Sequence, residues 1–359
     1  MTNMTTIPIF DGHNDTLLQL HRARGKKKRS FFSKSEVGHI DLPRAREGGL
    51  GGGFFAMFTP SPRRKKPEPF PGADPASGQM SYDIPLARAV KQTRAQQFTM
   101  ALAADLFQLE AASEGQARVV RAADELAACL EEGTFAMIFH IEGAEAIDPG
   151  LDTLHVLYQA GLRSLGIVWS RPNAFGYGVP FKFPQSPDVG PGLTEVGQDL
   201  VRACNELGIL LDLSHLNEAG FWDVAKYSEA PLVATHSGVY NLCASARNLT
   251  DKQLDAIKET DGIVGVNFHV GFLRADGRLE EDTPLTEIVR HVTYIAERIG
   301  LDHVAFGSDF DGATMPNELS DAAGLPKLMA TLREHGYDEA ALSKIAYQNW
   351  LRVLRKTWK

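Results

Sequence analysis

Short apolar runs alternate with longer stretches of helical spacing along most of this chain. Eight runs, often β-branched, fall at residues 7–11, 50–58, 134–141, 163–169, 208–214, 231–235, 262–268 and 303–308. Each has strand length. Between most of them, apolar residues recur at helical spacing, at 84–131, 151–160, 193–207, 217–227, 250–259 and 284–299. Gly208 and Gly300 stand just after two of these stretches, where a left-handed C-cap is expected. Alternating strand and helix patterns predict a parallel sheet, and eight such units predict a closed (β/α)8 TIM barrel. An open doubly wound sheet is the runner-up. It would not gather residues from distant strand ends around one point. With no internal repeat and no linker, residues 1–359 are expected to form a single barrel domain.

Three irregular stretches interrupt the pattern, at 21–39, 60–82 and 171–192, each rich in Pro, Gly or charge. All follow strand runs, so a barrel places them as insertions at its C-terminal mouth. Lids, specificity elements and plain insertions all fit that position.

The polar residues that end the strand runs carry the chemistry. Asp11-Gly-His-Asn-Asp15 follows the first run, and His13 and Asp15, two apart on an extended strand, can face one ion. Glu142 follows the third run, His215 the fifth, His236 the sixth and Asp309 the eighth. Singly, a strand-end histidine is more often a structural residue than a ligand. Jointly, these residues obey one rule of placement in a barrel. Imidazole and carboxylate donors without thiolates suit zinc or a similar divalent ion. Five ligands are too many for one tetrahedral catalytic site that also holds water. They divide into two ions sharing one carboxylate, with a bridging hydroxide between ions about 3.5–4 Å apart.

Composition narrows the partners. A hydrophobic fraction of 43% supplies a large core, and a net charge of −8 gives no reason to expect nucleic acid. The basic runs Lys26–Arg29 and Arg63–Lys66 lie in polar loops and are expected to be solvated. Cys129, Cys204 and Cys243 are odd in number and form no CxxC pair, which argues against disulfides and thiolate zinc. They are expected to be buried thiols. No segment approaches the ~20 apolar residues of a membrane span, so the expected location is cytoplasmic, without a membrane partner. Homodimerisation stays open.

The ordered motifs resemble the renal (membrane) dipeptidase family of the amidohydrolase superfamily. They are Asp11–Asp15, Ile141–Gly143, Asp212–His215, Thr235–Ser237, Cys243–Asn248, Gly265–Asn267, Gly307–Gly312 and Asn349–Val353. The resemblance implies a binuclear zinc dipeptidase that often accepts a D-residue at the C-terminal position. It implies that His13 and Asp15 bind one Zn2+, that His215 and His236 bind the other, and that Glu142 bridges both. Arg247 would hold the substrate carboxylate, for which a guanidinium is suited. Asp309 would take the proton of the attacking water and pass it to the leaving amine. Asp311, two residues on, competes for that role, and the family motif favours Asp309. Where the family carries a strand-four histidine that polarises the scissile carbonyl, this chain has Trp169. Indole has one donor and no cationic form. Arg171, Asn173 and Tyr177 follow it as candidate substitutes, and a metal ion is another. Asn267 and His269, at the end of the seventh run, and Trp169 itself are further expected substrate contacts. His140 is expected in the core or behind the ligands. His21, His39, His155, His291, His303 and His335 are expected to be structural or exposed. Another binuclear amidohydrolase, such as a lactonase, deaminase or β-lactam hydrolase, is the alternative function; a barrel that binds metal without catalysis fits less well, because storage needs neither Asp309 nor Arg247.

Overall fold

The computed structural model describes residues 7–23, 29–62 and 80–359. Eight parallel strands form the ring, each at one of the expected runs. They are β1 (Ile9–Asn14), β2 (Leu50–Phe58), β3 (Phe135–Glu142), β4 (Leu162–Gly166), β5 (Leu210–Asp212), β6 (Val233–Ser237), β7 (Ile263–Val266) and β8 (Val304–Phe306). Neighbours in sequence are neighbours in the sheet from β1 through β8. At the mouth, β8 meets β1 through an Asn14–Phe310 bridge, with Asp15 N donating to Phe310 O and Asp309 N to His13 O. Below that bridge Trp350 fills the seam. Its ring is fully buried against Phe54, and its Nε1 donates to Phe306 O at 3.2 Å.

The strand ends are brought close by missing side chains. The carbonyl oxygen of Thr235 on β6 lies where a Cβ on Gly12, Gly265 or Gly307 would come within 2.3 Å. Backbones from β1, β7 and β8 therefore crowd β6, and no larger residue fits there.

Several expectations need correction. The single helical stretch at 84–131 is two helices, Gln92–Ala112 and Ala123–Glu132. Glu114 and Gly115 both take positive φ and end the first, and Ala117–Val119 then pairs with β3. Gly208 caps its helix in the left-handed region, at φ 71 and ψ 35, as expected. Gly300 leaves its helix at φ 105 and ψ 151, outside that region, because a 3-10 turn follows at once. Helices at Thr16–Arg22, Leu42–Gly48, Leu325–Glu334 and Asn349–Thr357 had no counterpart in the expected pattern. The three cysteines are buried and free. Among the described residues, no helix is long and apolar enough to cross a membrane.

Mouth insertions lean on one another. Tyr82–Ile84 and Phe181–Phe183 form a two-stranded antiparallel ribbon joining the insertions after β2 and β4. Of the two basic runs, Lys26–Lys28 and Arg63–Lys66 lie outside the described residues. Arg29 is not solvated: its guanidinium is buried against Asp311 at 3.1 Å.

Candidate metal centre and substrate cavity

At the C-terminal mouth the five expected ligands converge. Glu142 Oε1 lies 3.0 Å from His215 Nε2, 3.6 Å from His236 Nε2 and 3.8 Å from His13 Nε2. His13 Nε2 is 3.8 Å from Asp15 Oδ2. Donor atoms of His13, Glu142 and His236 fall within 4.8 Å of one another, as do those of His13, Asp15 and Asp309. Both ring nitrogens of His13 and Oδ1 of Asp15 are buried with no hydrogen-bond partner. Buried polar atoms are normally satisfied, so these orphans and the all-imidazole-and-carboxylate donor set fit divalent cations of the zinc class.

A surrounding shell fixes the rings. Ser170 Oγ lies 2.9 Å from His215 Nδ1, and Thr235 Oγ1 lies 2.8 Å from His236 Nδ1. Thr235 Oγ1 also donates to Asp212 Oδ2 at 2.6 Å, which leaves its lone pair for the His236 Nδ1–H. Both imidazoles are thereby set to present Nε2 to Glu142, as ligating histidines require. Behind His13, a third cluster joins it to His140 and Asp212, which lie one layer deeper. Asp212 is already occupied by the N–H groups of Ser214 and Thr235 as well as the Thr235 hydroxyl. Burial pushes His140 down to about 3, and its Nδ1 pairs with Ser164. That layer supports the site instead of ligating.

Electrostatics mark the same point. Burial raises Glu142 to about 8, with Asp15 and Asp309 adding to the rise against the opposing His13. Burial resists charge on His13, yet Glu142, Asp15 and Asp309 outweigh it and lift the ring to about 10. Burial, assisted by the His13 and Arg247 charges, holds His215 and His236 well below the ordinary histidine value. Carboxylates this crowded favour a cation among them, and a bound dication would pull the raised Glu142 and His13 values back down.

Asp309 and Asp311 separate cleanly. Asp311 accepts from Thr16 Oγ1 at 2.9 Å, Arg29 Nη2 at 3.1 Å and His39 N at 2.7 Å, so its carboxylate is spent on the loop before β2. Asp309 faces the ligands, and burial raises it to about 6. Asn267 Nδ2 donates to its Oδ2 at 3.0 Å. Asn267 is fully buried, and its Oδ1 accepts from His269 N. It positions Asp309 and does not line the cavity, contrary to the expected substrate contact.

Above the cluster opens a cavity of 760 Å³. Trp169 and His269 line it as expected, beside Glu142, His215 and Asp309. Tyr177 does not: it belongs to the loop after β4 but is absent from the lining, and its carbonyl accepts from Asn217 N. Arg171 and Asn173 are also committed, to Glu145 and Ser61 and to Ile167 O respectively. His39, expected to be structural or exposed, both holds Asp311 and lines the cavity. Arg247 lies just under the lining, buried, with its guanidinium 5.4 Å from the Phe272 ring. Its Nη2 donates to His236 O at 2.9 Å, while Nε has no partner. Sequence patterns missed Ser170 and gave Thr235 no role beyond its place in the Thr235–Ser237 motif, since hydroxyls at strand ends carry no distinctive signal.

A parallel eight-stranded barrel with histidines and carboxylates gathered at its C-terminal mouth is a metal-dependent hydrolase architecture. The sequence profile of the membrane dipeptidase family, peptidase family M19, matches residues 2–359, and the chain belongs to that family. It is a metallodipeptidase. A metallopeptidase from Rhodobacter sphaeroides, solved with a phosphinate mimic of the dipeptide L-Ala-D-Ala, is 48% identical with a TM-score of 0.94, covering 99% of this chain and 100% of that one. A solved dipeptidase of family M19 is likewise 48% identical, with a TM-score of 0.93 and coverage of 99% of each chain. An uncharacterized protein in the pqqA 5' region of Klebsiella pneumoniae is 52% identical over 254 residues, 71% of this chain and 94% of that protein.

Proposed function

We propose that this metallodipeptidase works with two zinc-class ions, one held by His13 and Asp15, the other by His215 and His236, with Glu142 shared. The observation carrying this is the position of Glu142 Oε1, within 3.8 Å of all three Nε2 atoms. Two such ions, held by these residues, would make water more acidic at neutral pH and would polarise the scissile carbonyl. Asp309 takes a proton from the attacking water and returns it to the leaving amine, its carboxylate aimed by Asn267. Arg247 receives the terminal carboxylate of the dipeptide. Two of its nitrogens contact His236 O and Ser237 Oγ, and its fork retains unused N–H groups. With Arg171 and Asn173 committed elsewhere, neither serves as a side-chain donor for the carbonyl. Tolerance for a D-residue at the C-terminal position is supported by the L-Ala-D-Ala mimic in the Rhodobacter relative.

Metal content by mass spectrometry, beside hydrolysis of L,L, L,D and D,D dipeptides, tests this. Close to two zinc equivalents and cleavage of L,D pairs are expected. One equivalent in fully active protein, or lactones and aminated bases turned over in preference to dipeptides, would overturn it.

A further inference from the structure

The cavity wall is not uniform. Leu18, Phe58, Ile84 and Trp169 are apolar lining residues, with Phe181 and Phe272 continuing the apolar surface beyond Trp169, whereas Asp15, Gln19, His39 and Asp311 are polar. The Phe58 and Trp169 rings lie 4.9 Å apart at 52°, and Trp169 is 5.8 Å from the His215 ring. Behind them Arg171 is completely buried, its guanidinium carbon 5.1 Å from the Phe58 ring and 5.5 Å from Trp169. Nε pairs with Glu145 at 2.7 Å and Nη1 with Ser61 at 2.9 Å, while Nη2 has no hydrogen-bond partner. Arg171 N also donates to Trp169 O at 2.6 Å, so backbone and side chain together fix the indole. A buried guanidinium against two ring faces is a cation–π arrangement. Nothing in the metal chemistry requires it.

Its location in the ring decides what it can meet. Phe58 ends β2, and Arg247 rests on the end of β6 through His236 O. Three strands lie between them on either side of the eight-stranded ring, so they face each other across the mouth, and Glu142 and Asp309 line the cavity there. A dipeptide whose carboxylate sits at Arg247 and whose scissile bond lies over Glu142 extends its N-terminal residue toward the Phe58–Trp169 corner. We propose that Leu18, Phe58, Ile84 and Trp169 form the subsite for the side chain of the substrate's N-terminal residue, selecting apolar side chains. Arg171 is its positioning residue, holding the two rings at their angle through the Glu145 and Ser61 tether. This assignment rests on the carboxylate anchor at Arg247 proposed above.

The test is a kinetic panel in two series on the zinc-loaded enzyme. One varies the N-terminal residue (Ala, Leu, Phe) before a fixed Ala, and the other varies the C-terminal residue after a fixed Ala. Wild type is expected to prefer Leu over Ala in the first series. In Trp169→Ala that kcat/KM ratio falls about tenfold, the scale of a lost apolar pocket. The C-terminal series keeps its wild-type ratios. Trp169→Phe, retaining an aromatic face, keeps most of the preference. Removing Arg171 alone would strand the Glu145 carboxylate, so the double variant Arg171→Met/Glu145→Gln is used. It is expected to melt near the wild-type temperature yet lose the Leu preference, which a purely structural ion pair would not cause. An unchanged Leu/Ala ratio in Trp169→Ala, or a change confined to the C-terminal series, overturns the subsite. An unchanged ratio in the double variant overturns the role of Arg171. Failure of the anchor itself is separable: Arg247→Met is expected to raise KM for every dipeptide, and an unaltered KM there refutes Arg247 whatever Trp169 does.

Discussion

Asn267 offers a sharp test of how Asp309 is tuned. Its Nδ2–H donates to Asp309 Oδ2 at 3.0 Å inside a buried site. A donor aimed at a carboxylate stabilises the charged form, so it holds Asp309 lower than burial alone would. A hydrogen bond to a charged group contributes about 1.5–3 kcal/mol. One pKa unit corresponds to about 1.4 kcal/mol. Asn267→Ala is therefore expected to raise Asp309 by about one to two units, nearer the lower figure where water replaces the donor. As the proposed base, Asp309 must be ionised, so the acid limb of kcat/KM against pH moves to higher pH by that amount. Asn267→Asp keeps the acceptor for His269 N, seen at 2.7 Å, but sets a second carboxylate beside the first. It should shift the limb further in the same direction. The assay is kcat/KM for one dipeptide from pH 5 to 9, with metal content measured at each pH. A limb that stays in place, or moves to lower pH, in both variants refutes the reasoning. A large rise in KM with an unmoved limb would instead make Asn267 a substrate contact.

Three further outcomes are expected. Glu142→Gln removes the carboxylate shared by three histidines, so bound zinc falls below two equivalents and the rate drops more than about 100-fold, beyond the loss typical of residues behind the ligands. Retention of both ions in that variant, read by mass spectrometry, would contradict the bridging role. Because the candidate ligands converge only in the folded chain, added zinc should stabilise chelator-treated protein by about 2.7 kcal/mol at 100 times Kd and so raise its melting temperature; calorimetry at several zinc concentrations reads this, and no shift would mean no folded-state site. Trp350→Ala empties the seam between β1 and β8 and should cost about 3–5 kcal/mol. Urea titration measures that loss, and a cost under about 1 kcal/mol would show the seam held by other contacts.

The barrel was legible because its strands are buried on both faces and so read as continuous apolar runs. All eight were found that way. Helices were less so. The amphipathic stretch beyond residue 84 has no proline inside its break, and only the Glu114–Gly115 turn ends it. The C-terminal helices carry a different signal, since Trp350 and Asn349 serve the seam below β8 through Phe306 O and Val304 O. Those contacts join chain segments that only the folded ring brings together. The candidate ligands His13, Asp15, Glu142, His215 and His236 stand out in the sequence for the opposite reason: each is set by its own strand end, a local feature. What sat behind the mouth was not local. Arg29 was placed among solvated charges by its basic neighbours, yet it pairs with Asp311 across 282 residues.

Aspartates show how residue type alone misleads in such a site. Asp11, Asp212, Asp309 and Asp311 all stand within motifs at strand ends, and chemistry is the natural expectation for each. Asp11 accepts from Ser308 N at 2.6 Å and Ser308 Oγ at 2.8 Å, and Asp212 takes three donors from Ser214 and Thr235. The turns they hold contain the left-handed residues of the mouth. His215, Asp309 and Asp311 lie at φ 67, 61 and 66. A non-glycine residue in that region costs about 1–3 kcal/mol and persists only where its surroundings enforce it. Ser308, gripped by Asp11, immediately precedes Asp309; Ser214, gripped by Asp212, immediately precedes His215. Asp11 and Asp212, both outside the cavity lining, thus hold the turns that aim the next residue at the candidate metal centre. Four acids of one type divide into two that hold the turns, one that pins a loop, and Asp309, whose carboxylate lines the cavity and is the one proposed to move a proton.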